Sequence, residues 1–168
     1  TTCQLLQFVK LSGEKQIPQY IFRWKCIWKN AKDITTESRF TALNWKILSN
    51  IYPTNILLAK MGKANDNKCM CNELDYLEHL FFYCKTVKTL WFETNALILK
   101  ETGMSVNLSV TDVMFGFYNG REKQKKYINR LLIIGKSCIS KFKYGKHPHL
   151  LYLFRNELNI TNWSKLNV

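Results

Sequence analysis

The chain has 168 residues, which is enough for one domain or for two small subdomains that share a core. A hydrophobic fraction of 46% is ordinary for a globular protein. No apolar run reaches the roughly 18 residues of a membrane span, so we expect no membrane partner. The formal net charge of +13 favours a polyanionic partner, most simply nucleic acid.

Helical periodicity dominates the first part of the chain, where strand-like alternation is scarce. Residues 20–28 form an apolar stretch that fits either a strand or a helix. After a loop, Thr36 is the predicted cap of a helix that Pro53 terminates. The apolar residues of this helix share one face: Phe40, Leu43, Ile47 and Ile51.

A short helix is predicted over residues 55–61, with Thr54 as its cap and Gly62 at its C-terminal end. A polar loop follows over residues 63–68. From about Leu77 a longer helix is predicted towards Lys100, with Gly103 closing it. Its predicted buried stripe consists of Leu80, Phe81, Val87, Leu90, Trp91 and either Leu97 or Ile98.

The C-terminal part carries the longest predicted helix, Glu122 to Tyr144, which ends at Gly145. Before it, Ser109 or Thr111 opens a short helical turn, and residues 116–120 form a break. A final helix is predicted from Pro148 to about Leu158. The inward face of the long helix is predicted to carry Tyr127, Leu131, Ile134, Cys138, Ile139 and Phe142, and its other face Lys123, Lys126, Arg130, Lys136 and Lys143.

Four candidate metal ligands lie within sixteen residues, namely Cys69, Cys71, His79 and Cys84. Three thiolates and one imidazole form a closed, four-coordinate structural zinc site with no open position for a substrate. We expect the first two cysteines on a tight turn and the other two ligands about one helical turn apart. The predicted fold is therefore mainly α, a helical domain held by one Cys-Cys-His-Cys knuckle with one structural Zn²⁺ and little or no sheet. Metal-free buried cysteines are the alternative.

The other cysteines, Cys3, Cys26 and Cys138, are scattered singly in apolar surroundings. We interpret them as reduced core thiols, which favours a reducing compartment, the cytosol or the nucleus. The start of the chain has neither an initiator Met nor a signal-peptide pattern, so we expect a piece of a larger polypeptide.

Charge divides the chain into three predicted segments of one compact domain. Residues 1–62, an N-terminal helical segment, carry about +6. Residues 63–102, the knuckle and its helix, carry about −1, and the basic C-terminal helical segment, residues 103–168, carries about +8. We therefore expect a polyanion to be bound by the flanks of the knuckle. The candidate phosphate contacts are Lys123, Lys125, Lys126, Arg130, Lys136, Lys141, Lys143 and Lys146.

Aromatic side chains could stack on unpaired bases, and Tyr118, Tyr144 and Tyr152 are the candidates for this role. For Trp45, Trp91, Phe81 and Phe82 we predict core packing instead. The sequence has no glycine-rich phosphate loop, no nucleophile elbow and no Tyr-x-Asp-Asp polymerase signature. We therefore predict that this fragment is not itself an enzyme.

An ordered set of motifs resembles one family. Trp45 to Asn55 with its Pro53-Thr54, the four ligands, His79-Leu80-Phe81 and Leu90-Trp91 together resemble the zinc-knuckle region of LINE-type (non-LTR) retrotransposon reverse transcriptases. The resemblance spans roughly residues 45–158. The family commonly has two or three residues between its first cysteines, and this chain has one.

The resemblance implies that Cys69, Cys71, His79 and Cys84 bind zinc in a domain C-terminal to the polymerase. It implies binding of the element's RNA, with target DNA or an RNA–DNA hybrid as further ligands, during target-primed reverse transcription. The reverse transcriptase core of the same polyprotein is the implied protein partner, in a ribonucleoprotein found in nucleus and cytoplasm. The parent would be an RNA-directed DNA polymerase with a separate endonuclease.

Two alternatives remain at this point. The first is a structural scaffold that docks an apolar face on the reverse transcriptase core and binds no nucleic acid. The second, and least favoured, is a degenerate nuclease that uses Asp112 and Glu122.

Overall fold

The computed structural model of the chain describes residues 24–33, 37–145 and 149–161. Within these ranges the protein is mainly helical and contains no strand, which confirms the predicted fold class. Its one isolated β-bridge pairs Lys68 with Leu74 in antiparallel fashion. None of the described helices is long and apolar enough to cross a membrane.

Seven α-helices and one π-helical turn follow one another along the described chain. In order they are α1 (Trp24–Asp33), α2 (Ser38–Leu48), α3 (Asn55–Lys60), the π-helical turn (His79–Tyr83), α4 (Lys85–Thr102), α5 (Val110–Phe115), α6 (Glu122–Tyr144) and α7 (Leu150–Ile160). The ambiguous apolar stretch is thus helical from Trp24 onward, and residues 20–23 lie outside the described ranges.

The chain divides into two compact units, residues 1–80 and residues 81–168. The three segments predicted from charge, with boundaries at residues 62 and 102, do not coincide with these two units and remain a prediction. In the first unit α1 packs on α2, whose buried residues are Phe40, Asn44, Ile47 and Leu48. Ile51, predicted on the same face, is exposed because α2 already ends at Leu48. The predicted cap Thr36 lies outside the described residues, and Glu37 occupies the cap position.

Helix α3 begins and ends as its sequence predicts. The Thr54 hydroxyl accepts a hydrogen bond from the amide of Leu57 at 3.3 Å. At the other end, Gly62 has a left-handed φ of +67°, and its amide donates to the Ala59 carbonyl at 3.0 Å. The Lys63 amide donates to the Leu58 carbonyl at 2.8 Å, which completes a Schellman motif.

The second unit is built on α4, α6 and α7, each of which contacts the other two. Helix α6 is the central one, because every residue from 131 to 139 is buried. Gly135 allows close packing there: a Cβ at this position would lie 2.9 Å from two atoms of the Trp91 ring. The ring nitrogen of Trp91 donates to the Phe81 carbonyl at 2.7 Å, so the polar N–H group of this buried side chain has a hydrogen-bond partner.

The Asn129 side chain of α6 bonds the segment between α4 and α6. The Asn129 amide group accepts a hydrogen bond from the Phe117 amide at 2.7 Å and donates to the Phe117 carbonyl at 2.8 Å. Helix α5 begins at a capping box in which Ser109 and Asp112 bond each other's backbone amides, at 3.2 Å and 2.9 Å. Of the two predicted openings of this turn, Ser109 is therefore the one used.

Candidate functional site

The four predicted ligands meet in the structure. The ligand atoms of Cys69, Cys71, His79 and Cys84 all lie within 4.8 Å of one another. The Cys71 Sγ and His79 Nε2 are 3.1 Å apart, so Nε2 is the imidazole atom that faces the thiols. Cys71 is half-buried and the other three residues are buried. A cluster of this kind is shielded from solvent on most sides, as a structural site requires.

A small hairpin places the first two cysteines. The amide of Cys69 donates to the Glu73 carbonyl at 2.8 Å, and the amide of Asp75 donates to the Asn67 carbonyl at 2.9 Å. The tip turns tightly, because the Asn72 amide donates back to the Cys69 carbonyl at 2.9 Å and Asn72 adopts a left-handed φ of +70°. One intervening residue is therefore enough: both thiols reach the cluster while Met70 between them is exposed.

The second pair of ligands needs a departure from α-helical geometry. Residues five apart on an α-helix point about 140° away from each other, so His79 and Cys84 could not share a face of one regular helix. In the structure the π-helical turn spans His79 to Tyr83, and Cys84 follows with an extended ψ of 132°. The predicted uninterrupted helix from about Leu77 towards Lys100 is wrong at this point, because Cys84 breaks it and α4 begins at Lys85.

Two polar residues tie the hairpin to α3. The amide of Asn55, the first residue of α3, donates to the buried Asp75 carboxylate at 2.6 Å. The Asn55 side chain donates to the Lys68 carbonyl, also at 2.6 Å. These contacts give the Pro53-Thr54-Asn55 run a structural role. Sequence reasoning missed the pairing of Asn55 with Asp75, since twenty residues separate them and no local pattern connects the two.

The ligand cluster fits zinc. Tetrahedral zinc with bonds of about 2.3 Å to sulfur places neighbouring sulfurs ~3.8 Å apart, which small side-chain adjustments achieve from the separations present. Among the described cysteines all are free thiols, so no disulfide competes for these sulfurs. Cys69, Cys71, His79 and Cys84 would hold one zinc ion as a closed set, and the metal's contribution there is to cross-link the hairpin to the π-helical turn.

The predicted basic residues do not form one continuous face of α6. Lys123 and Lys126 are exposed near its N-terminus, Arg130 is half-buried, and Lys125 pairs with Glu122 at 2.8 Å. Near the C-terminus Lys141 pairs with Glu157, and the Lys143 ammonium lies 5.4 Å from the Tyr144 ring. Lys146 lies outside the described residues. The accessible positive charge on α6 is thus concentrated at its two ends.

Lys136 was predicted on the exposed face of α6, and that prediction is wrong. The residue is only 3% exposed, within the buried stretch at the middle of the helix. Burial removes water from the ammonium and lowers the pKa of Lys136 to about 7. The contiguous apolar run Leu131 to Ile134 was a signal for an all-round buried helix, which the charge of Lys136 obscured.

The aromatic residues also divide differently from the prediction. Trp91 and Phe81 are buried as predicted, whereas Phe82 is half-buried and Trp45 is 50% exposed. Tyr118, Tyr144 and Tyr152 are all exposed. Among the described aromatic side chains Phe92 of α4, which the sequence did not single out, has the highest exposed fraction, 78%.

The carboxylates considered for a nuclease have other contacts. Asp112 caps α5 through Ser109, and Glu122 pairs with Lys125. In the part of the chain that the structure describes, the Cys/His cluster is the only group of three or more potential metal ligands. The two acids are therefore not brought together into a site.

A mainly helical fold with a buried Cys-Cys-His-Cys cluster defines a zinc-binding domain. The sequence from residue 8 to residue 91, half of the chain, matches the family described as zinc-binding in reverse transcriptase. The chain belongs to this family, and all four ligands lie inside the matched range. Members of this family are accessory zinc-binding domains of reverse transcriptases, so this region is associated with such an enzyme. None of the curated proteins compared matches the sequence.

Proposed function

We propose that this chain is a nucleic-acid-binding domain, C-terminal to the polymerase, of a LINE-type retrotransposon reverse transcriptase. Its ligands would be the element's RNA, an RNA–DNA hybrid and target DNA during target-primed reverse transcription. As part of a ribonucleoprotein it would act in both cytoplasm and nucleus. Zinc would order the knuckle segment, residues 69–84, and phosphate contacts would come from the basic surface elsewhere on the chain.

The observation that supports this proposal is the imbalance of exposed charge in the second unit. Each described carboxylate after residue 81 already has a partner: Glu93 with Arg155, Glu101 with Lys100, Asp112 with Ser109, Glu122 with Lys125 and Glu157 with Lys141. The exposed cations outside these pairs include Lys85, Lys88, Arg121, Lys123 and Lys126. Positive charge therefore exceeds what the unit neutralises by itself, which attracts a polyanion.

The three cations near the start of α6 form the most concentrated part of this surface. Arg121, Lys123 and Lys126 fall within two turns of helix and are all exposed. Contacts of lysine and arginine with phosphate position a nucleic acid and carry little sequence information. Selectivity for one RNA would then come from its shape or from unpaired bases.

Salt dependence of binding tests the proposal. Affinity for a labelled RNA–DNA hybrid should fall steeply with salt, and the slope of log K against log salt should drop by about 0.7–0.9 for each phosphate contact removed. The double variant Lys123→Gln, Lys126→Gln should show such a drop. The matched control, Lys60→Gln with Lys63→Gln, removes the same charge from exposed positions in the first unit. Affinity that hardly changes between low and moderate salt would contradict the proposal.

A second candidate function is a scaffold that docks on the reverse transcriptase core. The half-exposed indole of Trp45 on α2 favours it, because exposed tryptophan is enriched at protein interfaces. Trp45→Ala should then weaken co-purification with the polymerase region by roughly tenfold or more, as expected for an interface hot spot, without changing affinity for RNA. Unchanged co-purification would argue against this candidate.

A further inference from the structure

One surface of the second unit lies along the seam between α4 and α7, which pack on each other. At this seam Glu93 of α4 accepts hydrogen bonds from Arg155 of α7, at 2.9 Å from Nε and 2.6 Å from Nη2. The ion pair links the two helices at their exposed edge. We call the exposed side chains of these two neighbouring helices the α4–α7 face, with Lys85, Lys88, Phe92, Tyr152, Arg155, Asn156 and Asn159 as its residues.

Each of the two helices presents an exposed aromatic ring. Phe92 points about 100° around α4 from Glu93 and is 78% exposed, and Tyr152 lies three residues before Arg155 on the same side of α7 and is 68% exposed. Rings of this size are usually at least partly covered in a soluble protein, because each buries a large apolar area. Two such rings on neighbouring helices indicate a surface that contacts flat, apolar groups of a ligand.

The polar residues around the rings indicate the chemistry of that ligand. Asn156 and Asn159 are exposed on α7 and offer amide donors and acceptors, which suit the edges of bases. Lys85 and Lys88 are exposed along α4 on the same side as Phe92, at spacings of seven and four residues, and suit phosphates. The carboxylate of Glu93 is already engaged by Arg155, so it adds no uncompensated negative charge.

We propose that the α4–α7 face binds single-stranded nucleic acid, with bases stacked on Phe92 and Tyr152 and the backbone near Lys85 and Lys88. Bases in a duplex are stacked on one another, so only unpaired nucleotides can use these rings. This inference rests on the proposed nucleic-acid function and adds to it a second surface and a preference for unpaired strands. The cations at the start of α6 require no such preference, because they contact phosphates alone.

The test compares two probes on the whole chain loaded with zinc. Fluorescence anisotropy measures affinity for a labelled oligouridylate of about 12 nucleotides and for a blunt-ended duplex RNA without unpaired bases. Phe92→Ala and Tyr152→Ala should each weaken oligouridylate binding by roughly 5- to 150-fold, the range of one lost base–aromatic stack, and should leave duplex binding nearly unchanged. Both side chains are exposed, so the variants should keep the wild-type circular dichroism spectrum.

Two further variants separate stacking from apolar contact. Phe92→Leu keeps an apolar side chain but removes the ring, so it should lose most of the affinity that Phe92→Ala loses. Ile160→Ala is the matched control, because Ile160 lies on the same helix as Tyr152 and is 64% exposed but cannot stack on a base. It should bind both probes like the wild type.

Each remaining outcome overturns the inference in a recognisable way. Wild-type affinity in Phe92→Leu, or equal losses on both probes, would exclude base stacking on this face. Unchanged affinity in Phe92→Ala together with lost co-purification of the polymerase region would make the face a protein-docking surface. In these cases a salt-dependent wild type would leave the proposed function standing, whereas a wild type that binds neither probe would overturn both.

Discussion

The knuckle segment, residues 69–84, and the cluster of α4, α6 and α7 differ in what determines their conformation. The knuckle contains a two-bond hairpin, a π-helical turn and four convergent candidate metal ligands. The helical cluster has a continuous apolar core, in which Leu131, Ile134 and Phe154 are completely buried. The contrast indicates that the first region depends on metal coordination and specific polar contacts, and the second on the hydrophobic effect.

Removing a zinc ligand should have the largest effect and should be confined to the knuckle. We expect Cys84→Ala to abolish stoichiometric zinc binding, because the site would lose one of its four ligands. The effect should be large, since the binding of structural zinc contributes about 10–16 kcal/mol to the folding free energy of small zinc domains. Native mass spectrometry should show one zinc per wild-type chain and none in the variant. Hydrogen exchange should speed up at the hairpin amides of Cys69 and Asp75, while the amides in the middle of α6 stay protected.

Cys138→Ala is the control for that experiment, because Cys138 is a buried cysteine of α6 outside the ligand cluster. It should retain one zinc per chain. Full zinc occupancy in Cys84→Ala would contradict the assignment of the ligands.

Truncating a core side chain should destabilise the helical cluster and spare the metal. Phe154→Ala removes a fully buried ring from α7 and should lower the free energy of unfolding by about 3–5 kcal/mol. Chemical denaturation followed by circular dichroism measures the change. Leu99→Ala, at an exposed position of α4, should change stability by no more than about 0.5 kcal/mol. Loss of zinc from Phe154→Ala before its helices unfold would contradict the separation of the two regions.

The polar contacts between the hairpin and α3 should contribute less to stability than either a zinc ligand or the buried ring of Phe154. Asp75→Asn keeps the shape of the side chain but removes the charge from its bond to the Asn55 amide, so we expect a loss of about 1 kcal/mol, the difference between a charged and a neutral acceptor. Hydrogen exchange at the Asn55 amide reports this loss directly. Asp66→Asn makes the same change at an exposed carboxylate that bonds the Lys68 amide, and its effect should be much smaller. Equal effects of the two substitutions would show that burial of Asp75 is unimportant.

The buried Lys136 should make the stability of the helical cluster depend on pH. Its pKa is lowered from 10.5 to about 7 in the folded chain, so between these values the unfolded state binds more protons. The free energy of unfolding should therefore rise with pH in this window, by up to about 1.4 kcal/mol per pH unit. Denaturation curves measured across the window should show this slope in the wild type and a smaller one in Lys136→Met. Identical slopes would mean that Lys136 is not the group responsible.

Local features of the sequence predicted much of the secondary structure. The cap at Thr54, the ends of helices at Gly62 and Gly103, and the span from Glu122 to Tyr144 all agree with the structure. These features were predictable because a cap or a left-handed glycine satisfies backbone groups within a few residues of itself. The four ligands were predictable for a related reason, since three thiols and an imidazole so close together in a chain are typical of a structural zinc site.

Other features depended on contacts between residues distant in sequence. A charged residue at position 136 favours an exposed helix face, but Lys136 is buried in the middle of α6, a helix that packs against both α4 and α7. The exposure of Trp45 likewise follows from which side of α2 contacts α1. Periodicity identifies an apolar stripe, but the number of neighbouring elements decides how much of the remaining helix surface is covered.

The sequence by itself determined the helical class of the fold, most helix ends and the four candidate metal ligands, because each follows from the chemistry of residues close together in the chain. Only the tertiary structure decided the break at Cys84, the pairing of Asp75 with Asn55, the burial of Lys136 and the exposed α4–α7 face. These depend on which surfaces meet in space, and burial and coordination geometry exist only once they have met.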